Sequence, residues 1–339
     1  MSKKKEYITI LNTISAIAVV FLHTNGCFWD FNKEKYWITA NVIECLFYFA
    51  VPIFFMISGV KFMEYQDRYS TKEFFKKRAK KVLIPFICWG IIALFYILFT
   101  KTISIHGIDI KYILNGLMNG SFVSIYWFFP PLLCIYLCMP LFASVKEEKR
   151  KTVFSYIAII GFILNVLIPF IINIFKLDII FPYSISVCFG FLIYVFIGYL
   201  LDKYDMKKRD RYIIYALAII GLLMHIIGTY KLSYESNMIV DTFKGYVNVP
   251  CILYSVGIFV FVKEICKKTK KLLVLNKIVD YTFGIYLIHF FIIDIINKVF
   301  EFNIRSIFYR LGLPFIVIPL CILITFILRK IPIVKKIVP

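Results

Sequence analysis

Apolar runs of about 20 residues recur along this 339-residue chain, and that is the length at which a helix crosses the hydrocarbon core of a bilayer. In lipid a spanning segment must satisfy its own backbone hydrogen bonds, so runs of this kind fold as helices. The pattern predicts an all-α, polytopic integral membrane protein with about ten transmembrane helices. They fall at roughly residues 7–27, 38–62, 82–100, 126–145, 152–174, 182–201, 212–229, 246–262, 278–298 and 313–328. Hydrophobic residues make up 61% of the chain, and no connection is long enough for a separate soluble domain. Residues 1–339 therefore read as one transmembrane domain. The first run follows Lys3, Lys4 and Lys5 as a signal peptide would, but it lacks a small-x-small cleavage pattern and is expected to stay.

The net charge of +20 raises the question of a nucleic-acid partner, and the placement of the charges answers it. Of the 40 Lys and Arg, 30 fall in alternate connections on the side of the N-terminus and 10 on the other side. By the positive-inside rule both termini are cytoplasmic in a multi-pass protein of the cell membrane. The basicity encodes orientation, and no soluble basic module is present to bind nucleic acid. The nine cysteines form no CxxC pair and fall mostly in apolar runs, so they read as core residues rather than as a disulfide framework or metal site. No P-loop, GxGxxG, HExxH or GxSxG arrangement is present.

Chemistry must then come from polar groups inside the spans. His23 lies near the outer end of the first run, where an ionisable ring is costly and calls for a reason. It reads either as a proton-transfer group or as an interfacial cap of its helix. Asn12 lies eleven residues earlier, close to three turns, and so on the same helical face. Glu44, at a similar depth in the second run, reads either as the carboxylate that orients His23 or as a solvated interfacial group. Lys76, Lys77, Arg78 and Lys81 crowd the inner mouth of the third run, suited to phosphate binding and equally to fixing topology. Tyr126, Trp127 and Tyr136 belong to an aromatic belt or to an acceptor cleft. His106 to Asp109 looks like a solvated turn, and Ile110 to Ser121 either lies along the interface or re-enters the bundle. His225 reads as a hydrogen-bonded bundle histidine. His289 and Asp294, five residues apart, read as two independent polar contacts rather than a dyad.

Together these pieces resemble acyltransferase family 3, polytopic membrane enzymes that acylate surface polysaccharides, lipids and related molecules. The resemblance is carried by ISAIAVVFLH ending at His23, FFMISG at 54–59, FFKKRAKKVLIPF at 74–86, YWFFPPLLCIYLCMP at 126–140 and GIYLIH at 284–289. It implies a catalytic role for His23 and donor binding by Arg78 with Lys81. It also raises Trp127 and Tyr136 above belt residues. Two positions depart from the family pattern: Asn12 and Lys81 stand where arginines are frequent.

The resemblance and the residues imply transfer of an acyl group, acetyl in the first place, from cytoplasmic acyl-CoA to a hydroxyl of a surface polysaccharide or glycolipid. Lys76, Lys77, Arg78 and Lys81 are expected to hold the donor phosphates, and His23, with Glu44 beside it, to take the acceptor proton. Trp127, Tyr126, Tyr136 and Asn12 are expected to contact substrate, with Asn12 or Tyr126 as candidate oxyanion donors. No metal is implied. A glycolipid or solute transporter with a His23–Glu44 proton relay is the alternative, although neither inverted repeats nor paired broken helices are evident.

Overall fold

The structure is a computed structural model that describes residues 3–103, 108–268 and 277–338. Among these there are helices, turns and irregular connections but no strand. The first eight helices are α1 (Lys3–Thr24), α2 (Lys35–Phe47), α3 (Ala50–Phe62), α4 (Thr71–Arg78), α5 (Ile84–Phe99), α6 (Ile110–Asn119), α7 (Phe129–Ala143) and α8 (Glu147–Phe162). The rest are α9 (Ile168–Phe175), α10 (Leu192–Lys203), α11 (Lys208–Ser236), α12 (Val249–Lys268), α13 (Thr282–Val299), α14 (Ile307–Gly312) and α15 (Pro314–Lys330).

Nine helical stretches among the described residues are long and apolar enough to cross a membrane, and they match nine of the ten expected spans. The segment expected at 182–201 differs. Its helix, α10, has only 12 residues and follows irregular chain with a single 3-10 turn at Ser186–Cys188. Asn165, between α8 and α9, supplies the missing backbone partners. Its Oδ1 accepts from the Ile185 N–H (2.8 Å), and its Nδ2 donates to the carbonyls of Ile185 (2.9 Å) and Cys188 (3.3 Å). Non-helical backbone at membrane depth persists where protein groups satisfy it. Apolar content alone does not distinguish such a segment from a helix.

Prolines shape the other irregularities. The 38–62 run breaks at Tyr48 and Phe49 because Pro52 has no N–H to offer the Tyr48 carbonyl. Single π-turns at Ala79–Leu83 and Ile163–Leu167 each lie just before a proline, Pro85 and Pro169. A proline disfavours the regular α register of the turn before it. The first of these turns joins α4 to α5 and carries the basic run.

Helix α6 is capped by Asp109, whose Oδ1 accepts from the Tyr112 N–H (2.6 Å), and it ends at Gly120 in the left-handed region. Ile110, Leu114 and Met118 are exposed along one face, as in a helix lying at an interface. His106 and Gly107 lie outside the described residues.

Helix α1 packs against α2, α3, α12, α13, α14 and α15, so its polar residues meet protein rather than lipid. At one end of the bundle Tyr7 donates to Asp202 (2.5 Å), and Asn12 Nδ2 to Thr282 Oγ1 (2.7 Å). Arg329 Nη2 donates to the Asp280 carbonyl (2.6 Å), so the start of α1 and the end of α15 share this end. At the other end Thr24 Oγ1 donates to the Arg310 carbonyl (3.0 Å), and Asn25 Nδ2 to that of Ala40 (2.9 Å). His225 departs from expectation. It is fully buried with neither ring nitrogen hydrogen-bonded, and it packs edge-on against Tyr48 with centroids 5.3 Å apart.

Candidate active site

His23 is half-buried near the end of α1 and lines a cavity of about 750 Å³. The wall also carries Glu44, Tyr48, Trp127, Tyr246, Tyr286, Asp294 and Asn297. It is built largely from aromatic faces. Trp127 stacks on Tyr246 (centroids 5.4 Å, 29°), and Tyr246 stacks on Tyr48 (3.9 Å, 1°), which the break after α2 places there. Asn297 Oδ1 accepts from the Tyr309 hydroxyl (2.6 Å), which leaves its amide hydrogens as the donors of that group. Asp294 accepts from Tyr96 (2.5 Å) and pairs with Lys298 (2.8 Å).

The partners of Glu44 are two other side chains. Its Oε1 lies 3.1 Å from Lys244 Nζ, and its Oε2 accepts from Asn25 Nδ2 (3.3 Å). Glu44 and Lys244 are 2% and 1% exposed, so this is a fully desolvated ion pair. The ammonium also lies over the rings of Tyr48 (3.9 Å), Trp29 (4.2 Å) and Phe28 (4.8 Å), within reach of a cation–π attraction. The ring beside His23 is instead His289 of α13, with centroids 5.0 Å apart.

Towards the other end of the bundle lies a smaller cavity of about 230 Å³, walled by Asn12, Ser58, Lys61, Arg78, Lys81, Tyr136 and Thr282 among others. Phe54, Phe128 and Tyr286 line both this cavity and the one at His23. A third cavity, of about 710 Å³, shares Asn12, Lys61, Phe62, Arg78 and Lys81 with the second and adds Arg68, Tyr69 and Lys77. The three spaces therefore lie end to end, from the basic run to His23. Asn12 and His23 are eleven residues apart on α1, about 16 Å of helical rise.

The cations at the middle of this series are not neutralised. Among the described residues no carboxylate pairs with Lys61, Arg78 or Lys81, whereas Glu64 nearby is taken up by Lys203 (2.6 Å) and Arg150 (3.6 Å). The Arg78 guanidinium lies over Phe62 (4.4 Å), Tyr136 (5.7 Å) and Phe74 (5.8 Å), and its buried Nε has no hydrogen-bond partner. A guanidinium held on aromatic faces with an unused donor is arranged to receive an anion.

The structure thus gathers His23, Glu44 and Trp127 at one cavity and Asn12, Arg78, Lys81 and Tyr136 at the next, with Lys77 in the third. Lys77 also pairs with Glu73 (2.7 Å) and lies over Tyr69 (4.0 Å). Lys76 is exposed and lines none of the three cavities. Tyr126 is fully buried outside them, and its hydroxyl donates to the Leu287 carbonyl (3.0 Å). Asn12 stands at the far end from His23. Sequence reasoning missed Lys61, Lys244 and Tyr246 as site residues and read His289 only as an isolated polar contact. Lys61 left a trace, as a solitary cation two residues beyond the ISG of the second run.

Fold and site together define a polytopic helical membrane protein whose interior links an unneutralised cation cluster to a histidine in an aromatic-walled cavity. The acyltransferase family 3 model, described as an acyltransferase domain, matches residues 5–329. The chain belongs to this family and is a membrane acyltransferase. No curated protein and no solved structure matches it.

Proposed function

We propose that this acyltransferase moves an acyl group, acetyl in the first place, from cytoplasmic acyl-CoA to a hydroxyl of a surface polysaccharide or glycolipid. One observation carries the reading: Lys61, Arg78 and Lys81, cations with no carboxylate partner among the described residues, line the second and third of a series of cavities that ends at His23. On this reading the protein lies in the cell membrane with the basic end cytoplasmic, in keeping with the excess of Lys and Arg there. Arg78, Lys61 and Lys81 bind the donor phosphates, with Lys77 at the entrance. The middle cavity is narrow and its walls are mostly apolar, which suits an extended pantetheine arm passing Asn12 and Tyr136.

The acceptor enters the larger cavity. Aromatic faces such as Trp127 and Tyr246 stack against sugar rings, and the carboxylates of Glu44 and Asp294 are each already paired with a lysine. That wall favours a hydroxyl-rich, uncharged acceptor. His23 removes the hydroxyl proton as the oxygen attacks the thioester carbonyl, and it returns the proton to the departing sulfur. The Glu44 carboxylate, neutralised by Lys244, fixes the cavity wall that His23 also lines, and the Asn297 amide is a donor for the developing oxyanion.

The test is release of CoA thiol from acetyl-CoA by the purified protein, paired with mass spectrometry of surface glycans from a deletion strain carrying each variant. His23→Ala is expected to lower transfer by roughly 100- to 10,000-fold, the usual worth of a general base, while the protein stays inserted and folded. Retained acetylation in His23→Ala cells overturns the reading.

A further inference from the structure

His289 sits in α13, fully buried, and lines none of the three cavities. Its Nδ1 is 2.9 Å from the carbonyl oxygen of Ile285, one turn earlier. A carbonyl can only accept, so Nδ1 carries the hydrogen, and in the neutral ring Nε2 is left as a lone-pair acceptor. That Nε2 is buried and has no hydrogen-bond partner. The rings of His23 and Tyr286 lie close by, with centroids 5.0 Å and 6.0 Å away. The Tyr286 hydroxyl is already committed to the Ile125 carbonyl, so it is not free to fill the vacant acceptor.

Two imidazoles joined by an N–H···N bond have centroids about 5 Å apart, since each nitrogen lies roughly 1.1 Å from its ring centre and the bond adds about 2.9 Å. The observed separation fits that arrangement after a small rotation of His23. An unmet buried acceptor is costly, so the rotation is favoured.

We infer that His289 is the positioning residue of His23: its Nε2 accepts the N–H of one His23 nitrogen, which leaves the other nitrogen bare and turned to the acceptor. The inference rests on the reading of His23 as general base. In the transfer step the acceptor O–H bond breaks and its proton moves to the bare nitrogen of His23. The oxygen–carbonyl bond forms as the carbon–sulfur bond breaks, and the same proton then passes to the departing CoA thiolate. His289 gains and loses nothing. It holds the tautomer and stabilises the imidazolium while that charge lasts, the part a carboxylate plays in other acid–base pairs.

Two substitutions in the full-length protein test this. His289→Leu removes the acceptor, whereas His289→Gln places an amide oxygen near the position of Nε2. His289→Leu is expected to lower kcat on the order of 10- to 100-fold with an unchanged KM for acetyl-CoA, and His289→Gln to recover to within a few-fold of wild type. Nitrogen NMR of histidine-labelled protein in nanodiscs should show His23 as a single tautomer in wild type and His289→Gln, and as a mixture in His289→Leu. Equal losses in both variants, or a His23 tautomer unchanged in His289→Leu, overturns the inference. An active His23→Ala protein would instead overturn the function itself, so the two failures are distinguishable.

Discussion

The buried pair of Glu44 and Lys244 joins the connection between α11 and α12 to the last turn of α2, directly beside the His23 cavity. Removing two charges from water is costly, and the pair holds because each partner is met several times over. Glu44 takes Lys244 and Asn25, and the Lys244 ammonium rests against three aromatic rings. Either partner left alone becomes an uncompensated charge in an apolar wall. Lys244→Met is therefore expected to destabilise the fold by about 3–5 kcal/mol. Adding Glu44→Gln should return much of that loss, because no charge is then stranded. Thermal unfolding of the single and double variants in one detergent measures both effects, and additive losses would show that the pair does not couple.

At the scale of elements, the crossing of α3 and α10 is set by two glycines. A Cβ on Gly198 would lie 2.3 Å from the Met56 carbonyl oxygen, and one on Gly59 would lie 2.0 Å from that of Val195. The two helices touch backbone to backbone, the mode of association open to helices in lipid, where no hydrophobic drive pulls them together. This contact anchors the short α10 and, on the other face of α3, keeps Phe54 and Ser58 along the middle cavity. Gly198→Leu should push the helices apart and lower stability by about 1–3 kcal/mol or more, the range for overpacking. A melting temperature equal to that of wild type would mean that the crossing is not the support described.

The whole molecule presents its cation cluster where the second and third cavities meet and its histidine at the far end of the same line, so under the proposed function the donor arm threads the middle cavity to react. Ser58 is small and lies on that wall, with its hydroxyl bonded to the Phe54 carbonyl (3.1 Å). Ser58→Leu adds bulk there and leaves the cations and His23 unsubstituted. Acyl transfer is expected to fall on the order of 100-fold, since misplacement of a reacting group by about 1 Å has that effect. Binding of CoA itself, measured by calorimetry, should change little. Unchanged transfer in this variant would show that the acyl group takes another route.

The chain's own order of residues determined a great deal: the helical class, the position of nine spans and the family, because long apolar runs have one stable backbone solution in lipid. It also placed His23 near the outer end of its helix and the basic run at a helix mouth, since both are local facts about one segment. Tertiary structure alone decided which side chains meet. Glu44 and Lys244 are 200 residues apart, and His23 and His289 are 266 apart, so no local spacing relates them. The half-helical sixth segment depended on Asn165 reaching Ile185 and Cys188, a contact that hydropathy cannot register. Lys61 joined Arg78 and Lys81 at one cavity only through the packing of α3 against α4 and the turn that follows it. The reason is physical: in lipid a segment's secondary structure follows from its own backbone, whereas the partner of a buried polar group is fixed by where helix packing leaves it.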